Sequence, residues 1–330
     1  MPDGMPTLAV TFEPGKTGRA LITDLIAGVA SPVWLTELDD QARAASLSAA
    51  TALLAYDTGK ELHAGEAGLL GNLRLVQFMT AGVDHIPLSQ LPPHVAVANN
   101  GGAYADAMAE HALAMTLAAA KRLLIEHNAL IGGAFNQFTR NRTLQGKTCG
   151  ILGFGGIGIA TARLMHGLGM RVHAINRSGR TEEPVDWIGT QIDLATMLRA
   201  SDVLVIAAPL TRRTIGMIGA AELGLMKPDA ILVNVARGEL VDEAALFAHL
   251  RAHPEFFACI DAWWVEPVRH GTFRMDHPFL TLPNVIGSPH NSASVPGNFE
   301  GGLRHALANV ARVLAGEPPH GLVGADERML

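Results

Sequence analysis

Short apolar runs alternate with segments of three-to-four-residue periodicity along most of the chain. Leu8 to Phe12, Ala52 to Ala55, Leu75 to Phe78 and Val95 to Ala98 are each bounded by Gly, Pro, Asp or Asn. Apolar runs of that length, spaced this way, predict parallel strands with helices between them. A long helical segment follows from about Ala103 to Leu124, and a second alternating series then opens. Its strands are predicted at Thr148 to Leu152, Arg171 to Ile175, Val203 to Ala207, Ala230 to Val235, Ala258 to Asp261 and Val285 to Gly287. Helices are predicted at Ile159 to Gly167, Leu194 to Ala200, Ala220 to Leu225 and Glu243 to His249. Six strands so connected are the count of a doubly wound α/β sheet. A last amphipathic helix, 297–314, carries Leu303, Leu307, Val310, Val313 and Leu314 on one face and stops at Gly316 and Pro318.

Between Cys149 and Gly158 the chain reads CGILGFGGIG, which puts Gly153, Gly155 and Gly158 on a G-x-G-x-x-G spacing between a predicted strand and a predicted helix. In that context the spacing marks a dinucleotide-binding turn. The first glycine permits the tight turn, the second lets backbone approach a pyrophosphate, and the third lets helix pack on strand. The helix N-terminus offers N–H groups to the phosphates. Phe154, Gly156 and Ile157 complete the turn as candidate cofactor contacts. At the end of the second strand, where an acidic residue would bond a ribose 2′-hydroxyl, the chain has Asn176-Arg177-Ser178. A neutral residue followed by Arg can pair with a 2′-phosphate. NADP is therefore the preferred cofactor expected, with Arg180 as an extra cation. NAD remains the alternative if Arg177 is a solvated loop charge and Asn176 bonds both ribose hydroxyls.

Composition narrows the remaining classes. With 330 residues, 48% hydrophobic, 17% charged and a net charge of −6, the chain reads as an ordinary globular protein of about two domains. That balance argues against nucleic acid or an anionic membrane as the principal partner. No apolar run approaches the roughly 20 residues of a membrane span, and no charged-then-apolar leader opens the chain, so a cytoplasmic location is expected. Cys149 and Cys259 both lie in apolar strand-like runs and read as small buried hydrophobes in a reducing compartment. Gly15-Lys16-Thr17 ends like a phosphate-binding loop but has Val10 where the earlier glycine is needed. His249 and His253 lack the Glu of a zinc-binding helix and are cut off by Pro254, so no metal is expected.

Eight strings now stand in order: FMTAGVDHI, NNGGAYADAMAEHAL, GILGFGGIG, APLTRRTIGMIG, ILVNVARGELVDEAAL, DAWWVEP, LPNVIGSPHNSA and AGEPPHGLV. In this order the chain resembles the D-isomer-specific 2-hydroxyacid dehydrogenase family, which includes glyoxylate and hydroxypyruvate reductases, D-lactate dehydrogenases and phosphoglycerate dehydrogenase. The resemblance runs from about Leu75 to Val323. It implies two Rossmann-like α/β domains. The larger, 99–291, would be the doubly wound sheet that binds NAD(P), and the smaller, 1–98 plus 292–330, a flavodoxin-like substrate domain. The substrate would lie in a cleft with hinges near Asn99 to Gly102 and Gly287 to Asn291. A homodimer through the 103–124 helix and the arm 126–146 is also implied. Leu130, Ile131, Phe135 and Phe138 in that arm are apolar residues that need covering.

Moving hydride to a 2-keto acid requires a cation for the carboxylate, a polarised ketone oxygen and a proton donor. Arg237, after the strand ending at Val235, is the expected cation, its planar fork suited to both oxygens. His290 is the expected acid in reduction and base in oxidation, and Glu266 would orient the imidazole and favour its protonated form. Formate dehydrogenases of the same superfamily carry a Gln-His pair, so Glu266 favours keto-acid chemistry. Backbone N–H groups of Thr80-Ala81-Gly82-Val83 are candidates for the substrate carboxylate. The resemblance adds Ala208 and Pro209 near the adenosine, Thr214 toward the phosphates, Val235 and Ala236 at the ring pocket, Asp261 at the carboxamide and Ser292 near ring or substrate. Tyr104 and Met108 at the domain junction are weaker binding candidates, and Glu110 and His111 read as packing and hydrogen-bonding residues.

Two departures stand out. The stretch after Pro267, VRHGTFRMDHPF, is about five residues longer than the family's compact turn, and long loops are often functional. Its Arg269, His270, Phe273 and Arg274 are open as pocket, interface or solvated residues, and Trp263-Trp264 replaces smaller residues, one indole open to wall the site and the other to pack. The reading that results is an NADPH-dependent reductase of a small 2-keto acid of the glyoxylate or hydroxypyruvate type, giving the D-2-hydroxy acid. An NAD-dependent D-2-hydroxyacid dehydrogenase of another substrate, or a non-catalytic dinucleotide sensor resembling a corepressor, is the alternative.

Overall fold

A computed structural model describes residues 4–325, 327 and 328. The chain forms two compact units, one of Met1–Tyr104 with Pro296–Leu330, the other of Ala105–Val295. The division thus falls several residues beyond the 98/99 and 291/292 boundaries read from the sequence.

The first unit is a five-stranded parallel sheet of β1 (Thr7–Val10), β2 (Ser31–Trp34), β3 (Ala52–Ala55), β4 (Leu75–Phe78) and β5 (Ala96–Ala98). The order β2-β1-β3-β4-β5 is that of a flavodoxin-like sheet. Successive side chains point to opposite faces, so each central strand feeds two cores. Leu8, Val10, Leu54 and Leu75 meet Ile22 of the helix Gly15–Leu25, Ile26 just after it, and Leu303, Leu307 and Val310 of the helix Asn298–Leu314. Ala9, Leu53, Val76, Phe78 and Val97 meet Leu47, Leu70 and Ile86 on the other side. Burial on both faces is why these strands read as continuous apolar runs.

The second unit is a seven-stranded parallel sheet of β6 (Thr148–Leu152), β7 (Arg171–Ile175), β8 (Trp187–Gly189), β9 (Val203–Ile206), β10 (Ile231–Asn234), β11 (Phe257–Ile260) and β12 (Val285–Gly287). Its order is β12-β11-β10-β9-β6-β7-β8, with the direction of winding reversing between β6 and β9. Ligands of doubly wound sheets bind outside the strand C-termini at such a reversal. The glycine-rich turn leaves β6 at that point.

Four sequence expectations are corrected. The sheet has seven strands rather than six, because β8 is an edge strand with two of its three residues only half-buried, and it was not read from the sequence. β2 is likewise an edge strand, only half-buried and carrying Pro32, whose missing N–H an edge tolerates. The helix predicted over 103–124 stops at Ala120, and a second helix, Leu123–Ile131, starts after Arg122, which has φ 53°. The 268–276 insertion opens within a short helix, Pro267–His270, rather than as a loop. No helix among the described residues is long and apolar enough to cross a membrane.

Candidate active site

The turn after β6 has the local geometry a dinucleotide needs. Gly153 has φ 100°, and a Cβ there would stand 2.4 Å from the Ala208 nitrogen. A Cβ on Gly158 would stand 2.4 Å from the Gly153 carbonyl oxygen. Both positions therefore exclude a side chain for internal reasons. Gly155 differs, since a Cβ there meets nothing within 4 Å. It caps the helix Gly156–Gly167 without a side-chain hydrogen bond, leaving the first N–H groups of that helix available to an anion. Phe154 is buried, and its N–H shares the Ile175 carbonyl with that of Gly153.

The loop at the end of β7 is organised by Asn176. Its Oδ1 accepts from the N–H groups of Ser178 (3.1 Å) and Gly179 (2.7 Å) and from the Ser178 hydroxyl, while Nδ2 donates to the Arg180 carbonyl at 2.8 Å. The amide is thus engaged in shaping the Arg177–Arg180 turn. Thr214 is similarly occupied, donating to the Pro209 carbonyl and accepting from the Thr211 N–H. Ala208 is buried and Pro209 exposed. Val235 is wholly buried in the core, which leaves Ala236 as the half-buried member of that pair.

Three loops at the C-terminal ends of β10, β11 and β12 carry the candidate catalytic set. Asn234, a polar residue ending an apolar strand, accepts from the Ala236 N–H and donates to the Arg237 carbonyl at 2.8 Å, bending the chain so that Arg237 follows directly. Gly238 lies against the next loop, where a Cβ would come within 2.4 Å of the Trp263 carbonyl carbon. Glu266 is buried and turned back on its own loop, Oε1 accepting from the Trp263 N–H at 2.7 Å. Its carboxylate oxygens lie 2.9 and 2.8 Å from Nδ1 of His290. Burial raises the Glu266 carboxyl, but the hydrogen bond and charge of His290, the Trp263 N–H and the Arg237 charge outweigh it and hold the group below its ordinary value.

A carboxylate at Nδ1 makes that nitrogen the donor and leaves Nε2 as the atom that exchanges protons. Nε2 has no partner among the described residues. His290 sits at φ 51°, a conformation that costs a non-glycine residue and persists only where its surroundings impose it. Asp261 supplies much of that imposition. Fully buried at the end of β11, it accepts from the Ser288 hydroxyl at 2.6 Å and from the N–H groups of Asn291 and Ser292. His111, on the helix Ala105–Ala120, bonds the same Ser288 hydroxyl at 2.9 Å. Ser288 and Asn234 were not singled out from sequence; a polar residue closing a buried apolar strand was the available signal for Asn234, whereas β12 before Ser288 is buried only at Val285. The indoles of Trp263 and Trp264 both serve packing. Trp263 donates to the Ser288 carbonyl at 2.8 Å, and Trp264 donates to the Val241 carbonyl and stacks on Phe279.

In the first unit, Thr80–Val83 follow β4. No acceptor among the described residues takes the N–H groups of Ala81, Gly82 or Val83, and the buried Thr80 hydroxyl has no partner there. The buried Ser292 hydroxyl in the second unit is also unpartnered among the described residues. Unmet buried polar groups are rare in proteins and suit a ligand-binding role. Within the second unit, the open space over Gly155 and the uncapped helix end fit the phosphates of a dinucleotide.

Residues 113–292 match the family model for the NAD-binding domain of D-isomer specific 2-hydroxyacid dehydrogenases. The chain is 33% identical over 263 residues to a glyoxylate reductase of Thermococcus gammatolerans, across 77% of each protein. It is 32% identical over 257 residues to glyoxylate/hydroxypyruvate reductase B of Enterobacter agglomerans, across 76% of this chain and 78% of that protein. The crystal structure of a D-isomer specific 2-hydroxyacid dehydrogenase from Xanthobacter autotrophicus Py2 in complex with NADPH and MES is similar at TM-score 0.78 and 25% identity, covering 97% of this chain and 98% of that one. The glycine-rich turn, the two parallel sheets and these matches lead to one conclusion: the chain belongs to the D-isomer-specific 2-hydroxyacid dehydrogenase family and is a nicotinamide-dinucleotide-dependent oxidoreductase.

Proposed function

We propose that the protein reduces a small 2-keto acid of the glyoxylate or hydroxypyruvate type to the D-2-hydroxy acid and prefers NADPH. The observation that carries the reading is the Glu266 carboxylate on Nδ1 of His290. That arrangement commits Nδ1 and frees Nε2 to give a proton to the substrate oxygen, a step that keto-acid reduction needs and a dinucleotide sensor does not. The bound reduced nicotinamide supplies the hydride for the keto carbon. Arg237 holds the substrate carboxylate and polarises the ketone, and its charge also keeps Glu266 ionised.

The preference for NADPH rests on the absence of an acidic side chain at the end of β7 and on the turn Asn176 builds, which brings Arg177 and Arg180 into one short loop. Leu123, Leu130, Ile131, Phe135 and Phe138 are all more than half exposed, an apolar face that supports a homodimer. The two buried free thiols suit a reducing cytoplasm.

The test is initial rates of absorbance loss at about 340 nm, the nicotinamide band, with NADPH and with NADH over glyoxylate, hydroxypyruvate, pyruvate and phenylpyruvate. Faster turnover with NADPH on the two smaller polar substrates is the expected result. Activity with NADH alone overturns the cofactor preference, and cofactor binding without turnover on any keto acid overturns the enzymatic reading in favour of a sensor.

A further inference from the structure

We propose that the 268–276 insertion is a brace that fixes the relative positions of the Arg237, Glu266 and His290 loops, with Arg269 and His270 as positioning residues. The proposal rests on the assignment of those three residues to the reaction. The insertion folds back on the segment it leaves: Arg274 bridges Val265 in antiparallel fashion, its N–H donating to the Val265 carbonyl.

Three side chains of the insertion each reach a different partner. His270 takes the Glu266 N–H on its Nδ1 at 3.0 Å and gives its own N–H to the Glu266 carbonyl at 2.8 Å, so one residue holds the Glu266 backbone from both sides. Arg269 pairs with Glu239 at 2.7 Å, two residues beyond Arg237, and both side chains are largely shielded at 15% and 24% exposure. Phe273 sets its ring edge-on to Trp263 at 5.6 Å. Trp263 in turn donates its N–H to the Glu266 carboxylate and its indole N–H to Ser288, two residues before His290. One segment therefore touches the β10 and β11 loops directly and the β12 loop through a single side chain.

Proton and hydride transfer demand that reacting groups be held to a fraction of an ångström, and supporting contacts supply that precision. His290 in its left-handed conformation has particular need of them. The His270 contact works only with an acceptor at Nδ1, which an Asn Oδ1 can imitate and an Ala cannot.

The experiment compares the full chain with His270→Ala, His270→Asn, Arg269→Ala and Arg269→Lys on the 2-keto acid that the unaltered protein turns over fastest. The Ala variants should lose about tenfold or more in kcat, as expected for slight misplacement of catalytic groups. Cofactor affinity, read by nucleotide fluorescence titration, should stay the same. His270→Asn should restore most of the loss and Arg269→Lys part of it. Unchanged kcat in the Ala variants, or a loss that Asn does not restore, overturns the brace. Should an Ala variant fail to fold, Arg269→Gln and Glu239→Gln remove the ion pair at nearly constant volume, and unchanged kcat in both overturns it equally. His290→Gln is run alongside: retained turnover there removes the catalytic assignment itself, whereas a dead His290→Gln with unaffected Ala variants removes only the brace.

Discussion

A Cβ atom on Gly153 would lie 2.4 Å from the backbone nitrogen of Ala208, so the turns after β6 and β9 meet backbone to backbone where the winding of the sheet reverses. Gly153→Ala therefore collides with main chain and also forces φ 100° on a residue with a side chain. A loss of stability of about 1–3 kcal/mol is expected, together with weak cofactor binding. Gly155→Ala meets no protein atom within 4 Å and should fold normally yet bind the dinucleotide poorly. Thermal melts paired with fluorescence titration separate the two; equal melting losses contradict the different roles argued for these glycines.

The contact between Glu266 and His290 predicts a division of effects. Glu266→Gln and His290→Gln should each lower kcat by roughly 10²- to 10⁴-fold, the usual contribution of a positioned acid or base. Dinucleotide affinity should barely move. Steady-state kinetics with an independent binding titration decide it, and a defect confined to KM contradicts the proton-transfer role.

Arg43 and Glu66 form an ion pair with both residues buried at 3% and 7% exposure, and Arg43 also bonds the Leu35 and Glu61 carbonyls. Arg43→Met strands the carboxylate and should cost about 3 kcal/mol in denaturant melts. Burial raises the Glu66 carboxyl, but Arg43 and the His63 N–H prevail and hold it below 4.5. A depressed folded-state value means the contribution is present above 4.5 and is lost as pH falls through the folded value. The stability gap between the two proteins should accordingly narrow under acid, and a gap independent of pH contradicts the ion pair as its source.

Glu61 has the opposite sign. Burial lifts its carboxyl above 4.5 despite hydrogen bonds from the Thr11 hydroxyl and the Tyr56 N–H. A raised folded-state value favours the fold at low pH and works against it as pH climbs through that value. Glu61→Gln keeps an acceptor for both donors, so it should melt higher than the unaltered chain near neutrality and no higher near pH 4. A higher melting temperature at both values refutes the ionisation argument.

Cys149 and Cys259 are wholly buried, and burial pushes both thiols up to about 12. Neither should react with a thiol reagent in the native protein at neutral pH, and both should react once it is unfolded. Labelling followed by mass spectrometry reads this directly; rapid native modification of either contradicts the burial.

Much of this architecture was legible because strands buried on both faces must be written as apolar runs, and apolar runs located ten of the twelve strands among the described residues. The two missed, β2 and β8, are edge strands whose residues are mostly half-buried, so no local pattern announces them. The helix break at Arg122 escaped for a related reason: apolar residues recur at helical spacing up to Leu124, across Lys121-Arg122, and nothing in that periodicity says where the chain turns. Within the site, Asn176 was read among the cofactor contacts, with bonds to both ribose hydroxyls as the alternative, and the hydrogen bonds by which its amide shapes its own loop were not foreseen. Trp263 and Trp264 were left open between site and core until their indole donors found backbone carbonyls.

By itself the sequence determined the two α/β units, the dinucleotide turn and an ordered Arg237, Glu266 and His290, because glycine spacing and strand patterning are local consequences of backbone sterics and burial. Only the tertiary structure decided that Glu266, expected to orient His290, does so at Nδ1, that Asp261 holds the loop of Ser288, Asn291 and Ser292, and that Arg269, His270 and Phe273 reach back to the neighbouring loops. Those contacts join different loops or depend on how one loop folds back, and whether the atoms meet depends on strand order and loop path, which no run of neighbouring residues encodes.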